Sequence, residues 1–308
     1  MGETAMKILG LGEALVDVVH AGDTTVEHVG GSMLNVACGL GRLGHDSTLA
    51  CWIGPDDRGR RIADYAAASD VVLAAGSDGA DRTPIAFAEV DAAGKATYTF
   101  DFASDLPVIA DLDAYGHLHA GSISAAFEPG GTKIVEALGA ASGTRSYDPN
   151  VRPALLGTAA EALPRVHELV ALADVVKASD EDLAWLYPEL SDADAARGWA
   201  AMGPALVVVT RGGDGALALL ASEGVVHEVA PGAASVVDTV GAGDSFMAGL
   251  ISGLADLGLL GSAEARARLR EASWTDVEPA LKRAIATSAI TVGHAGAYGP
   301  TRDEIGAD

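Results

Sequence analysis

The apolar positions of this chain change their period several times, and each change predicts an element. Ile8, Leu9 and Leu11 form a short apolar run that stops at Gly12, as expected of a buried strand closed by a turn. Residues 16–20 and 25–29 also read as strands, the first interrupted by Asp17. Leu34, Ala37, Cys38 and Leu40 then recur at helical spacing behind Ser32, a residue suited to cap a helix N-terminus. A strand is expected at 47–52, and Gly54-Pro55-Asp56-Asp57-Arg58-Gly59 reads as a turn entering a helix. From 84 to 90 and from 96 to 100, two alternating runs flank Asp91-Ala92-Ala93-Gly94, the pattern of a β-hairpin. Together with the strands at 16–20 and 25–29 this hairpin can build a small sheet beside the main body, using residues from about 14–30 and 83–103.

Beyond residue 116 strands alternate with helices. Strands are expected at 116–120, 145–147, 174–177 and 205–210, with helices near 131–140, 158–171, 180–187 and 192–201. That spacing predicts βαβ units: an α/β fold, a mostly parallel central sheet with helices on both faces, and functional groups at the strand carboxyl ends. Residues 234–237 form a short strand or an extended lead-in to a helix marked by Phe246, Met247, Leu250, Ile251 and Leu254. An Ala-rich helix is expected at 278–292.

A chain of 308 residues, 49% of them hydrophobic, can bury one large core, and it shows no repeat or low-complexity linker. The formal charge of −23 argues against a nucleic-acid backbone or an anionic membrane as partner. Cys38 and Cys51 make neither a disulfide framework nor a metal-ligand spacing. The start of the chain lacks a signal-peptide pattern, and no apolar run reaches membrane-spanning length, so a soluble cytoplasmic protein is expected.

The most informative stretch is Asp238-Thr239-Val240-Gly241-Ala242-Gly243-Asp244-Ser245-Phe246. It places glycines at the turn into a helix, where bare backbone amides and the positive end of the helix dipole can cradle an anion. Asp244 opens that helix and can accept a proton from an attacking hydroxyl, although an acidic residue after a Gly turn is also ordinary capping chemistry. Gly39-Leu40-Gly41-Arg42-Leu43-Gly44 has the letters of a dinucleotide fingerprint, but its glycines follow a helical run and precede a strand, the reverse of the required order. An NAD-binding oxidoreductase therefore fails, and no Walker loop is present. Asp17 can cap a turn or, as a carboxylate, accept two hydroxyls. Arg152, in Asp148-Pro149-Asn150-Val151-Arg152-Pro153, can form a bidentate contact with a substrate or pair with a surface carboxylate.

Taken together, the nonapeptide and Gly30-Gly31-Ser32-Met33-Leu34-Asn35-Val36-Ala37 resemble the two signatures of the ribokinase/PfkB family of carbohydrate kinases. Asp-Pro-Asn-Val-Arg-Pro resembles its fructokinase-like members, whereas Met33 stands where those relatives often carry Pro. The resemblance spans essentially the whole chain. It implies a ribokinase-like three-layer sandwich with a small β lid and phosphoryl transfer from MgATP to a sugar hydroxyl. It assigns Asp244 as base, with Gly241, Ala242, Gly243 and Arg152 at the transferring phosphoryl, and Asp17, Gly30, Gly31 and Asn35 at the sugar. ATP would face Lys177, Ser179, Thr210, Gly212 and Gly215, and Asp182 would organise Mg²⁺ through water. A monovalent cation such as K⁺ would lie among Asp238, Val240, Thr291, His294 and Gly296. The family usually has Asn-x-x-Glu where this chain offers Ser179 and Asp182. The acceptor stays open among fructose, 2-keto-3-deoxygluconate, ribose and nucleosides, with a silent sugar- or nucleotide-binding protein as the other class. An exposed lid sheet would also allow a homodimer.

Overall fold

The structure, a computed structural model, describes residues 6–22, 24–90 and 96–306. Its thirteen described strands form two sheets. They are β1 (Lys7–Leu11), β2 (Leu15–Ala21), β3 (Thr24–Gly30), β4 (Asp46–Ala50), β5 (Val71–Leu73), β6 (Ile85–Val90), β7 (Ala96–Asp101), β8 (His117–Gly121), β9 (Thr144–Asp148), β10 (Val175–Ser179), β11 (Leu206–Thr210), β12 (Ala216–Leu220) and β13 (Val226–Val229). The large sheet has the order β13-β12-β11-β10-β9-β8-β1-β4-β5, parallel throughout except for β12 and β13. The small sheet has the order β3-β2-β6-β7. The connection expected at residues 91–94 lies outside the described residues.

Helices cover both faces of the large sheet: α1 (Ser32–Arg42), α2 (Asp57–Ala67), α3 (Gly130–Ala140), α4 (Pro153–Leu156), α5 (Ala159–Leu172), α6 (Asp180–Leu186), α7 (Asp192–Ala200), α8 (Ala242–Asp256), α9 (Ala263–Glu271) and α10 (Trp274–Thr291). Strand alternation explains the split. Leu9, Leu118, Tyr147, Val176 and Val207 point toward Leu138, Leu169 and Trp199 of α3, α5 and α7. Ile8, Val175, Leu206 and Val208 meet Val36, Leu40, Phe246, Leu250 and Leu281 of α1, α8 and α10. Burial on both faces accounts for near-continuous apolar runs such as Leu206-Val207-Val208-Val209.

Four features differ from the sequence expectations. Residues 234–237 pair with no strand among the described residues; Val237 N and Asp238 N instead donate to Val292 O. Strands β5, β12 and β13 and helix α9 lacked a clear sequence period. Helix α10 starts at Trp274 because Ser273 and Asp276 form a capping box that outweighs Pro279 within the helix. Ser32 is not a cap: Gly31 occupies that position, and the Ser32 hydroxyl goes elsewhere. Gly39 and Gly41 lie inside α1 and Gly44 just beyond it, so the fingerprint letters have no nucleotide-binding geometry.

The small sheet is covered on both sides as well. Val16, Val18, Val29, Ile85 and Phe87 pack with Met33 and Ile62 of α1 and α2. Leu15, Ala86 and Phe100 face Ile123, Phe127 and Leu155 of the main body. Asp17 lies opposite His28 and Ala86 in the strand register, which puts it on this second face, over the carboxyl ends of β8 and β9.

A line of buried polar groups crosses the large sheet. His117 bonds Thr144 Oγ1 at 2.9 Å and Ser146 Oγ at 2.8 Å, and Ser146 Oγ also meets His119 Nδ1 at 2.8 Å. Burial holds both imidazoles neutral, down to about 3, with the neighbouring His119 and the Lys177 charge acting in the same direction. The unfolded histidines take up protons near pH 6.5 that the folded ones refuse, so stability should fall as pH drops below 6.5. At pH 5 the expected loss is roughly 2 kcal/mol per histidine. Asp148, raised by burial to about 6, binds its proton more readily in the folded state and returns roughly 1 kcal/mol over the same range. Urea denaturation at pH 7.5 and pH 5 checks the net loss, and equal stabilities would refute it.

Candidate active site

The carboxyl ends of β1, β8, β9, β10 and β11 and the N-terminus of α8 converge on one side of the large sheet. Helix α8 begins after Gly241, whose φ of 75° is left-handed. A Cβ there would sit 2.6 Å from Ala297 Cβ, so only glycine lets the loop before Pro300 close against the turn. Ala242 N donates to Thr239 O at 3.2 Å, whereas Gly243 N has no backbone acceptor outside the helix among the described residues. The anion cradle therefore rests more on Gly243 and its neighbours than on Ala242.

Asp244 stands in the first turn of α8, 9% exposed. Its Oδ1 accepts from Ser32 Oγ at 2.6 Å and its Oδ2 from Asn35 Nδ2 at 2.8 Å. A hydroxyl donating to a carboxylate is a stronger contact than the cap expected of Ser32. Asn35 Oδ1 is buried without a partner among the described residues, one unfilled acceptor beside the carboxylate. Gly31, at φ 111°, would place a Cβ 2.8 Å from Glu13 O, which fixes glycine at the entry to α1. Glu13 had no sequence signal beyond its place after the β1 turn. It is buried, accepts from Ser32 N at 3.2 Å and Ser124 N at 3.4 Å, and burial raises its pKa.

Across the cleft, a Cβ on Gly30 would lie 2.5 Å from Asp17 Oδ2, so the bare glycine gives the carboxylate its space. Burial raises the Asp17 pKa, while His28 and Arg152 pull it down. Arg152 is exposed, with Nη1 2.7 Å from Asn150 Oδ1 and 3.0 Å from Val151 O.

Lys177 and Asp148 form a buried ion pair at 2.8 Å. Lys177 Nζ would lie 3.2 Å from a Cβ on Gly243, so its charge sits directly beside the α8 turn. Burial acts to lower the Lys177 pKa, but Asp148, Asp182 and Asp244 together outweigh it and the shift is upward. Ser179 caps α6, and Asp182 completes a capping box with it.

Thr210 closes β11, and the turn behind it contains Gly212 at φ 50° and Gly215 at φ 87°. Gly212 has open space around its Cα, whereas a Cβ on Gly215 would meet Val229 O at 2.1 Å. Gly215 thus serves the close approach of β13, and Gly212 is the one free to face a ligand. Asp238 accepts from Val240 N at 3.1 Å and Gly296 N at 2.8 Å, which hold its carboxyl below the usual range and tie the lead-in to the last loop. In that loop Thr291 Oγ1 donates to Tyr298 O at 2.7 Å, and His294 stacks on Tyr298 with centroids 3.9 Å apart. Among the described residues, no cluster of three or more His, Cys, Asp or Glu side chains forms a metal site, and no helix is long and apolar enough to cross a membrane.

A family profile described as pfkB family carbohydrate kinase matches residues 1–304. A fructokinase of Rhizobium leguminosarum bv. trifolii is 36% identical over 263 residues, covering 80% of this chain and 79% of the relative. A Vibrio cholerae fructokinase, solved with fructose, ADP and potassium ion bound, is 26% identical with a TM-score of 0.79, covering 99% of both chains. A Xylella fastidiosa fructokinase, solved with bound ATP, is 25% identical with a TM-score of 0.80 and covers 97% of this chain and 96% of the other.

Proposed function

The chain belongs to the pfkB family of carbohydrate kinases and is an ATP-dependent, fructokinase-like sugar kinase, and on that premise we propose that it phosphorylates a hydroxyl of fructose. The observation that carries the reaction is Asp244, held by Ser32 and Asn35 at the N-terminus of α8 within the same cleft as Asp17. Asp17 and Asn35 orient the sugar. Its reactive hydroxyl displaces the contacts to Asp244, which then takes the proton. The amides of the Gly241–Gly243 turn and the Lys177 charge stabilise negative charge on the phosphoryl group as it moves in line to the acceptor oxygen. Mg²⁺ carried on the ATP phosphates supplies charge neutralisation. Among the described residues no cluster of three or more His, Cys, Asp or Glu side chains cages such an ion, and a hydrated ion would be held chiefly by the nucleotide.

The small sheet, packed on α1 and α2 by one face, acts as the lid and keeps water from the phosphoryl group with the other. Asp238, by tying Val240 to Gly296, supports a monovalent cation there that shapes the anion cradle. One feature favours an acidic sugar such as 2-keto-3-deoxygluconate as a second reading: His28 and Arg152 both act on Asp17 and would suit a substrate carboxylate.

ADP release from MgATP with fructose, other hexoses, 2-keto-3-deoxygluconate, ribose and adenosine, with and without K⁺, tests the assignment. Preferred turnover of fructose is expected. A preference for the acidic sugar would transfer the assignment to it, and binding of ATP and sugar without turnover would leave a silent binding protein.

A further inference from the structure

Asp182 has a geometry of its own. It is 7% exposed, its Oδ2 accepts from Ser179 N at 2.8 Å, and its Oδ1 accepts from Val151 N at 2.7 Å. The first bond belongs to the cap of α6; the second crosses to the loop after β9, the loop that carries Arg152. The loop's other polar anchors are longer or local: Asn150 Nδ2 donates to Ser122 Oγ at 3.4 Å, Asn150 N donates to Asp148 Oδ1 at 3.2 Å, and Arg152 folds back on Asn150 and Val151. Asn150 is in the left-handed region at φ 38°, and α4 is a single turn. Behind the loop lies a cavity of about 160 Å³, bounded by Tyr147, Pro149, Val151, Leu155 and Leu156, so packing leaves the loop room to shift.

We propose that Asp182 is a positioning residue that clasps the 149–152 loop, and Arg152 with it, to α6, in place of organising Mg²⁺. Each carboxylate oxygen already accepts one backbone amide, the carboxylate is 7% exposed, and the aspartate is one methylene shorter than the glutamate usual in the family, so it reaches less far toward a hydrated ion. The inference rests on the kinase reading above and moves Arg152 from the transferring phosphoryl to the sugar, because its charge acts on Asp17. Both bonds are made by a charged acceptor to buried donors, the kind whose loss is felt most.

Asp182→Asn retains the size but only one acceptor oxygen, so one amide loses its partner. In the unliganded protein, amide hydrogen exchange across residues 149–156 should accelerate by about tenfold or more. The KM for sugar should rise by about tenfold, with the half-saturating free Mg²⁺ and the thermal shift produced by MgADP unchanged. In an Arg152→Ala background the same substitution should add little to the sugar KM, because both act through one side chain. A raised Mg²⁺ requirement with unchanged exchange and sugar KM would overturn the proposal, as would no change in any of them. Should Asp182→Asn fail to fold, Asp182→Glu keeps the charge and the α6 cap while moving the oxygens relative to Val151, and the same three readouts apply. A wild-type protein without sugar-dependent ADP release would defeat the kinase reading, whereas the exchange measurement would still decide the clasp.

Discussion

Asp244→Asn is expected to lower kcat by about 10²–10⁴-fold with little effect on folding. The substitution is isosteric, and its surroundings can accommodate it. Ser32 Oγ, now donating at 2.6 Å, can accept from the new amide instead, while Asn35 Nδ2 keeps an oxygen to donate to. What disappears is the basic oxygen that takes the hydroxyl proton. Sugar and nucleotide binding should persist, because Asp17, Gly31 and the α8 amides are untouched. Single-turnover kinetics with calorimetric titration of ATP separate the two quantities. Turnover within a few-fold of wild type would remove Asp244 as the base.

Lys177→Met is expected to be the most destabilising single change at the site, by about 3–5 kcal/mol at neutral pH. The Asp148 carboxylate, 2% exposed, would lose its only ammonium partner among the described residues and stay buried. Its pKa, already raised to about 6 by burial, would climb further, so the variant should regain stability on mild acidification, when Asp148 can be buried neutral. The sign follows from proton uptake: the folded variant binds a proton that the unfolded chain, at the ordinary carboxylate value, does not. Adding Asp148→Asn should restore much of the stability but not the activity, since the charge beside Gly243 is still missing. Thermal denaturation of the single and double variants at pH 7.5 and 5.5 reads all of this. Equal stability of Lys177→Met and wild type at pH 7.5 would show that the pair is neutral to folding.

The comparison of sequence with structure divides along physical lines. The parallel core was legible because strands buried on both faces are apolar throughout and helices between them repeat at their own period. The reversal from β11 into β12 was not, since the turn from Arg211 to Gly215 looks the same whether it faces a nucleotide or reverses a chain. The glycine turn into α8 was legible because it is local: Gly241, at φ 75°, stands directly before the apolar helical run it opens. Ser32 was misread for the opposite reason. A serine before an apolar helical run has the local pattern of a cap, and only the arrival of α8 gives it a carboxylate, 212 residues away in sequence.

Residue order therefore determined the α/β architecture, the small sheet, the glycine turn into α8 and the family, all of which depend on periods and short spacings. Tertiary structure decided the partners. The parallel register that sets Val176 beside Tyr147 brings the next residues, Lys177 and Asp148, into an ion pair. It turned Glu13 into a brace for the start of α1 and gave Oδ1 of Asp182 to the backbone amide of Val151, 31 residues away. Many side chains of the same chemical type could have filled those roles. Which one does so is settled by where the sheet and helices set their backbones, because a hydrogen bond or ion pair is formed over about 3 Å and has no signature at the sequence separations these contacts span.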